Sequence, residues 1–104
     1  MSVTIKVISD EDRLDITFEG NLDVAACQSV CDACRHPPPK VQACIVDLTR
    51  VGRVFDSGIE VLGLLFRRMR GLGATVVFLC DDAVIRQRIT TIASPLWHQP
   101  SLKA

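Results

Sequence analysis

The sequence predicts an α/β fold: a single domain in which helices pack against a small mixed β-sheet, in the order β-β-α-β-α-β-α. Three observations lead to this prediction. Apolar and polar residues alternate at the start of the chain, two later runs are short and largely apolar, and segments with apolar residues at helical spacing separate these runs. With 104 residues and 48% hydrophobic content, the chain is long enough to build one core.

The first two strands are predicted to form a β-hairpin. Residues 3–7 alternate between apolar and polar, and residues 14–18 repeat the pattern after the polar, turn-like segment 9–12. The hairpin is expected to end at Gly20. A first helix should then begin near Asp23 and run to about residue 35, where a run of prolines follows.

The middle of the chain is predicted to alternate between buried strands and a helix. Residues 41–48 and 74–80 are apolar enough for strands, and the first of these is expected to be covered on both faces. Between them, a second helix should begin at Ser57 and end near Gly71 or Gly73, because glycine is common just after a helix.

A third helix is predicted after Asp82, since aspartate is a favoured N-cap residue. The helix should reach about Ile92, before the Ser94-Pro95 pair breaks it. Residues 94–104 are then expected to form a C-terminal tail within a single domain of residues 1–104.

Charge and composition argue against two classes of partner. Twelve basic and twelve acidic residues give a net charge of zero, so we expect no overall electrostatic attraction to nucleic acid or anionic lipid. With no Tyr, one Trp and four Phe, few rings are available to stack on bases. No stretch resembles a signal peptide or a membrane span. We therefore expect a cytoplasmic protein that binds no nucleic acid, inserts into no membrane and keeps its five cysteines reduced.

Three cysteines of the first helix have a spacing that suggests a metal site. Cys27, Cys31 and Cys34 follow the C-x3-C-x2-C pattern, which resembles the iron–sulfur motif of radical SAM enzymes. On a helix, however, they continue a stripe from Val24 at i, i+3, i+7 and i+10, the pattern of an apolar face turned toward a sheet. Because cysteine packs as a small hydrophobe, we predict a packing role without metal or cofactor, and keep a metal or redox role as an alternative.

Ser57 and Glu60 have two interpretations. They form the S-x-x-E pattern of a capping box, in which each side chain binds a free backbone N–H at the start of a helix. Alternatively, Ser57 marks a phosphate position, because free N–H groups and the positive end of the helix dipole favour an anion there.

A longer segment resembles a known family. The sequence DLTRVGRVFDSGIEVL at residues 47–62 is similar to the signature of STAS domains, the anti-sigma factor antagonists, which reads approximately D-L-S-x-V-x-x-I-D-S-S-G-L-x-V-L. The segments FEGNLD at 18–23 and GLGATVVFL at 71–79 resemble the family's F-x-G-x-L-D and G-G-x-L-x-L-V. The resemblance extends from the first hairpin to about Ile92, and it implies a STAS-like fold.

The resemblance also implies a function. In this family, an anti-sigma factor that is also a serine kinase phosphorylates the serine before the glycine, and only the unphosphorylated form binds that partner and frees the sigma factor. The matching residue is Ser57. We expect a non-enzymatic interaction switch with no catalytic residues, metal or cofactor, and a phosphatase that acts on Ser57. The expected partner-binding residues are Asp23, Arg50, Arg53, Phe55, Asp56, Gly58 and Glu60.

A second role remains open, because STAS domains also occur as regulatory subunits bound to the ATPase of lipid-transport complexes and as parts of sensory assemblies. In that role Ser57 is only a helix cap. The chain also departs from the signature beside Ser57: Phe55 occupies the family's aspartate position and Asp56 that of the first serine. A carboxylate next to the acceptor would repel an incoming phosphoryl donor or imitate part of the phosphorylated state.

Overall fold

The computed structural model describes residues 2–35, 40–91 and 96–98. Its elements, in chain order, are β1 (Ser2–Ile8), β2 (Arg13–Leu22), α1 (Cys27–Arg35), β3 (Ala43–Val54), α2 (Asp56–Gly71), β4 (Thr75–Leu79), α3 (Ala83–Thr90) and β5 (Leu96–His98). Single turns of 3₁₀ helix, Ser9–Glu11 and Val24–Ala26, precede β2 and α1. The predicted order is confirmed, with one strand added at the end. The proline run after α1 and the predicted break at Ser94-Pro95 lie outside the described residues.

The five strands form one mixed sheet in the order β1-β2-β3-β4-β5. β1 and β2 are antiparallel, as predicted for a hairpin, and every later pair of neighbours is parallel. Crossovers between parallel strands are almost always right-handed. Because each strand follows its predecessor in the same direction across the sheet, right-handed crossovers place the three helices on one face. α2 contacts both α1 and α3 in this layer.

The core lies between the sheet and the helix layer. Alternate residues of the central strands are buried, among them Val46 and Phe78. On the opposite face of β3, Ile45 and Asp47 are only half-buried. The prediction that residues 41–48 are covered on both faces is therefore wrong, because the helices that the structure describes all lie on the other side of the sheet.

The buried stripe of α1 differs from the predicted one. Val24 is 66% exposed because it lies in the 3₁₀ turn, whose N-cap Asp23 accepts a hydrogen bond from the Ala25 N–H at 2.8 Å. A 3₁₀ helix has three residues per turn and an α-helix has 3.6, so the side chain of Val24 does not lie on the same face as residues counted from it at α-helical spacing. Ala26 and Val30, one turn apart, are buried instead.

The cysteines are distributed between this helix and the core. Cys44 and Cys80 are fully buried, as predicted for the two apolar strand segments. Cys27 and Cys31 are half-buried beside the α1 stripe. The side chain of Cys34, the third member of the predicted stripe, lies outside the described residues.

α2 ends in a Schellman motif. The Ala74 N–H donates to the Met69 carbonyl and the Gly73 N–H to the Arg70 carbonyl, both at 3.0 Å. Gly73 adopts a φ of 84°, in the left-handed region where glycine is favoured. The prediction that α2 ends near Gly71 or Gly73 is confirmed.

The end of the chain contains a strand that the sequence does not reveal. β5 pairs in parallel with β4, inside the segment 94–104 that was expected to be a tail. Three residues are too few to show a hydrophobic period, so sequence patterns give no signal for such a strand. Within the described residues, no helix has the length and apolar character needed to span a membrane.

Candidate functional site

The predicted site residues lie where β2 and β3 extend beyond the rest of the sheet. β4 pairs with β3 only as far as Asp47, whereas β3 continues beside β2 to Val54. Two irregularities interrupt the β2–β3 register here, and Gly20 has a φ of 92°. Such irregularities bend a strand and increase its twist. We call this extension, residues 19–22 and 50–54, the β2–β3 ribbon, and α2 begins where it ends.

Gly58 allows α2 to begin against the end of β2. The Phe55 N–H donates to the Leu22 carbonyl at 2.9 Å, which holds the two segments together. A Cβ added at Gly58 would lie 2.7 Å from the carbonyl carbon of Leu22 and 2.9 Å from its Cγ, closer than real Cβ atoms approach. The glycine of the D-S-G sequence is therefore required by packing, and it is buried beneath the site.

Ser57 is the second residue of α2. The N-cap is Phe55, which has extended backbone geometry and makes no side-chain cap bond. The capping-box prediction for Ser57 and Glu60 is therefore wrong, because the helix begins before Ser57 rather than after it. The Ser57 side chain is half-buried, and its hydroxyl makes no hydrogen bond to any residue that the structure describes.

The first turn of α2 lacks a side-chain cap. The first bond of the helix runs from the Ile59 N–H to the Phe55 carbonyl at 3.1 Å. The N–H groups of the three residues before Ile59 therefore precede the helical hydrogen-bond ladder. Together with the positive end of the helix dipole, they favour an anion at the position of Ser57.

Arg88 of α3 reaches back to this junction. Its guanidinium donates to the Val54 carbonyl and, at 2.7 Å, to the Asp56 carboxylate. Asp56 is fully exposed and Arg88 is 34% exposed, so the pair lies at the surface, where the arginine offsets the charge beside Ser57. Sequence patterns give no signal for Arg88, because 32 residues separate it from Asp56 and only the packing of α3 on α2 brings them together.

An exposed aromatic ring lies on the ribbon side of the site. Phe55 is 42% exposed, and the Arg53 guanidinium carbon lies 5.5 Å from its ring centroid, within the range of a cation–π contact. Arg50 pairs with Glu19 across the ribbon at 3.5 Å. Aromatic and arginine side chains are enriched in protein–protein interfaces, so this composition suits partner binding.

A groove between α2 and α3 borders the other side of the site. Its volume is about 510 Å³, and its lining residues are Asp56, Ile59, Glu60, Gln87, Arg88 and Thr91. Glu60 is exposed one helical turn after Asp56. Asp23 follows directly after the ribbon, where its carboxylate caps the 3₁₀ turn before α1. We call the following set the Ser57 surface: Asp23, Arg50, Arg53, Phe55, Asp56, Ser57 and Glu60.

Comparison with solved structures identifies the fold. The chain aligns with the unphosphorylated anti-sigma factor antagonist SpoIIAA at a TM-score of 0.74 and 15% identity, over 94% of this chain and 88% of that chain. It aligns with an anti-sigma factor antagonist STAS domain from Rhodobacter sphaeroides at a TM-score of 0.58 and 17% identity, over 91% and 94%. The chain has the STAS fold. A variant of RsbS from Moorella thermoacetica shares this fold at a TM-score of 0.77 and 15% identity, over 95% and 87%.

The STAS fold also occurs as a small part of larger proteins. This chain aligns with a murine anion transporter of the Solute Carrier 26 family at a TM-score of 0.62 and 19% identity, over 77% of this chain and 14% of the transporter. No protein-family model and no curated protein matches the sequence. The structural likeness confirms, for the fold, the STAS resemblance of the D-S-G segment.

Proposed function

We propose that this STAS domain is an anti-sigma factor antagonist, a non-enzymatic switch that acts in the cytoplasm. In the unphosphorylated state it binds an anti-sigma factor that has serine kinase activity, and phosphorylation of Ser57 ends that binding. A phosphatase acting on Ser57 resets the switch. The observation that carries the proposal is the start of α2, where Ser57 lies in a first turn without a side-chain cap, two residues after the exposed Phe55.

The fold comparison supports a switch that works without refolding. SpoIIAA is known in an unphosphorylated and in a phosphorylated form, and both share the fold of this chain, with TM-scores of 0.74 and 0.66. A phosphate on Ser57 would likewise change the charge of the Ser57 surface and leave the sheet and helices in place.

The local charges favour such a change. A phosphate adds about −1.5 to −2 charges at neutral pH. Before modification, Arg88 offsets the carboxylate of Asp56 and Arg53 lies over Phe55, so the centre of the surface is not strongly acidic. Phosphate on Ser57 would add its charge to those of Asp56 and Glu60. A partner complementary to the unmodified surface would then be repelled, which costs several kcal/mol when like charges meet across an interface.

The test uses a kinase-type anti-sigma factor from the same genome, with binding measured by isothermal titration calorimetry with and without ATP and Mg²⁺. We expect Ser57→Ala to bind under both conditions and Ser57→Asp to bind under neither. The matched control is Gln42→Glu, which adds one charge at an exposed position near the start of β3, at the opposite end of the parallel strands. It should bind like the wild type. Equal binding of both Ser57 variants would contradict the switch.

The similarity to part of an anion transporter supports a second candidate, a regulatory or scaffold domain within a larger assembly. The STAS resemblance of the sequence extends this candidate to a lipid-transport ATP-binding cassette complex. Under this candidate Ser57 was expected to cap α2, whereas the N-cap is Phe55. Affinity purification from native cells distinguishes the two candidates. A transporter ATPase recovered equally with the wild type, Ser57→Ala and Ser57→Asp would favour the scaffold.

A further inference from the structure

One edge of the sheet is a regular strand that pairs on one side only. Among the residues that the structure describes, β1 pairs with β2 alone, in an uninterrupted register from Ser2 to Ile8. Its outward N–H and C=O groups therefore offer a template for another strand. β1 contains neither a proline nor a bulge, two devices that block such pairing. The strand at the opposite edge, β5, is only three residues long.

The apolar residues of β1 continue the core to this edge. Val3, Ile5 and Val7 share a face with their cross-strand partners on β2, which are core residues with at most 2% exposure: Phe18, Ile16 and Leu14. Val3 packs against the core, whereas Ile5 is 38% and Val7 50% exposed. A strand added at this edge would cover the row and extend the core beyond β1.

The sequence of β1 is self-complementary in one antiparallel register. A two-fold axis at Ile5 places it opposite Ile5 of a second copy, sets Val3 against Val7, and pairs the whole strand. Because directly opposed residues lie on the same face, the register can shift only in steps of two residues. One such shift sets Lys6 against Lys6, and the other leaves Val7 without a partner.

Lys6 does not protect the edge against this partner. It is the single charged residue in the sequence of β1, and charged residues on edge strands commonly prevent pairing. Its cross-strand partner on β2 is Asp15, an opposite charge. In the two-fold register each Lys6 lies opposite Thr4 of the other copy, so the two lysines do not face each other.

We propose that β1 binds β1 of a second copy of this chain in this register, giving a two-fold dimer. The two five-stranded sheets then form one continuous sheet. β1 contributes no residue to the Ser57 surface, so the strand pairing itself does not use that surface. Since a single strand pair is a small interface, we expect monomer and dimer to exchange in a concentration-dependent manner.

The test is analytical ultracentrifugation of the reduced protein over a concentration series. The wild type should pass from monomer to dimer, without larger oligomers. Ile5→Lys should raise the dissociation constant about tenfold or more, because it removes an apolar contact and sets two lysines opposite each other. The matched control is Val84→Lys, which adds the same charge at a 66% exposed position on α3 and should dimerise like the wild type. Circular dichroism checks that both variants are folded.

Cysteine crosslinking tests the register. Directly opposed residues of antiparallel strands have Cα atoms about 4.5–5.5 Å apart, within the range of a disulfide. On oxidation, Ile5→Cys should therefore form a covalent dimer above the wild-type background of the native cysteines. Val3→Cys alone should stay at that background, whereas a mixture of Val3→Cys and Val7→Cys should crosslink.

Three outcomes would overturn the proposal. They are a wild type that stays monomeric throughout the series, unchanged dimerisation of the folded Ile5→Lys variant, and equal crosslinking of Ile5→Cys and Val3→Cys. These measurements need no anti-sigma factor and no change at Ser57, so their result is independent of the proposed switch.

Discussion

Helices α2 and α3 both follow a strand of the same sheet, but they begin in different ways. At the start of α3, the Asp82 carboxylate accepts hydrogen bonds from the Val84 and Ile85 N–H groups at 2.9 and 3.2 Å. At the start of α2, the corresponding position holds Phe55, whose side chain makes no such bond. A side chain thus satisfies the N-terminal N–H groups of α3, and those of α2 remain available to an anion. This difference supports the proposal that the start of α2 is the functional one.

The largest loss of stability is expected from a substitution where α2 packs against the β2–β3 ribbon. Gly58→Ala should destabilise the fold by about 3 kcal/mol, because the added methyl group overlaps the backbone of Leu22. Gly71→Ala is the matched control at the other end of the same helix, where a Cβ meets nothing within 4 Å. It should be neutral or stabilising by about 0.5 kcal/mol. Urea denaturation measures both, and equal stabilities of the two variants would contradict the close packing at Gly58.

The next largest effect on stability is expected at the N-terminus of α3, and it can be compared directly with the effect of a substitution at the N-terminus of α2. Asp82→Ala should cost about 1 kcal/mol, because α3 loses its cap. Ser57→Ala should change stability by less than about 0.5 kcal/mol, because no hydrogen bond is lost within the described structure. Chemical denaturation of both variants provides the measurement. A cost of 1 kcal/mol or more for Ser57→Ala would restore the capping interpretation that the geometry of α2 contradicts.

A smaller effect is expected from the ion pair that joins the two helix starts. In a double-mutant cycle with Arg88→Ala and Asp56→Asn, the coupling energy should be about 0.2–1 kcal/mol, since the pair lies at the surface. Arg88→Ala should cost more than the coupling energy alone, because the Val54 carbonyl also loses its partner. Coupling indistinguishable from zero would mean that Asp56 is not held by Arg88.

The smallest effect concerns the thiol beside the α3 cap. Burial raises the pKa of the Cys80 thiol above its ordinary value of 9.0. The unfolded thiol therefore ionises first, so this contribution to stability is intact below pH 9.0 and is lost as the pH rises through the folded-state pKa. Urea denaturation across this range should show falling stability, and Cys80→Ala should reduce the slope. An unchanged slope in that variant would assign the alkaline loss to other groups.

Much of the fold was predictable because its signals are local. Alternation at residues 3–7 and 14–18 gave the hairpin, short apolar runs gave β3 and β4, and Asp82 and Gly73 marked ends of helices correctly. Each of these features depends on a few neighbouring residues, where chain propensity and capping chemistry act directly.

The predictions failed where tertiary packing, rather than the local sequence, determines the structure. The 3₁₀ turn before α1 shifted the buried stripe away from Val24, and the one-sided helix layer left Ile45 half-exposed. At the site, α2 begins before Ser57, where Gly58 packs against Leu22 of β2. Arg88, which binds Asp56, belongs to α3 and is distant in the sequence. The sequence identified Ser57 as a candidate site residue. It did not reveal that the first turn of α2, where Ser57 lies, has no side-chain cap.

The most direct test of the central claim is phosphosite mass spectrometry on this protein recovered from its own cells at several growth phases. If Ser57 is the switch, its phosphate occupancy should change with growth phase, and Ser29 on α1, measured in the same samples, should stay unmodified. A protein that is abundant in every sample and never phosphorylated at Ser57 would contradict the claim.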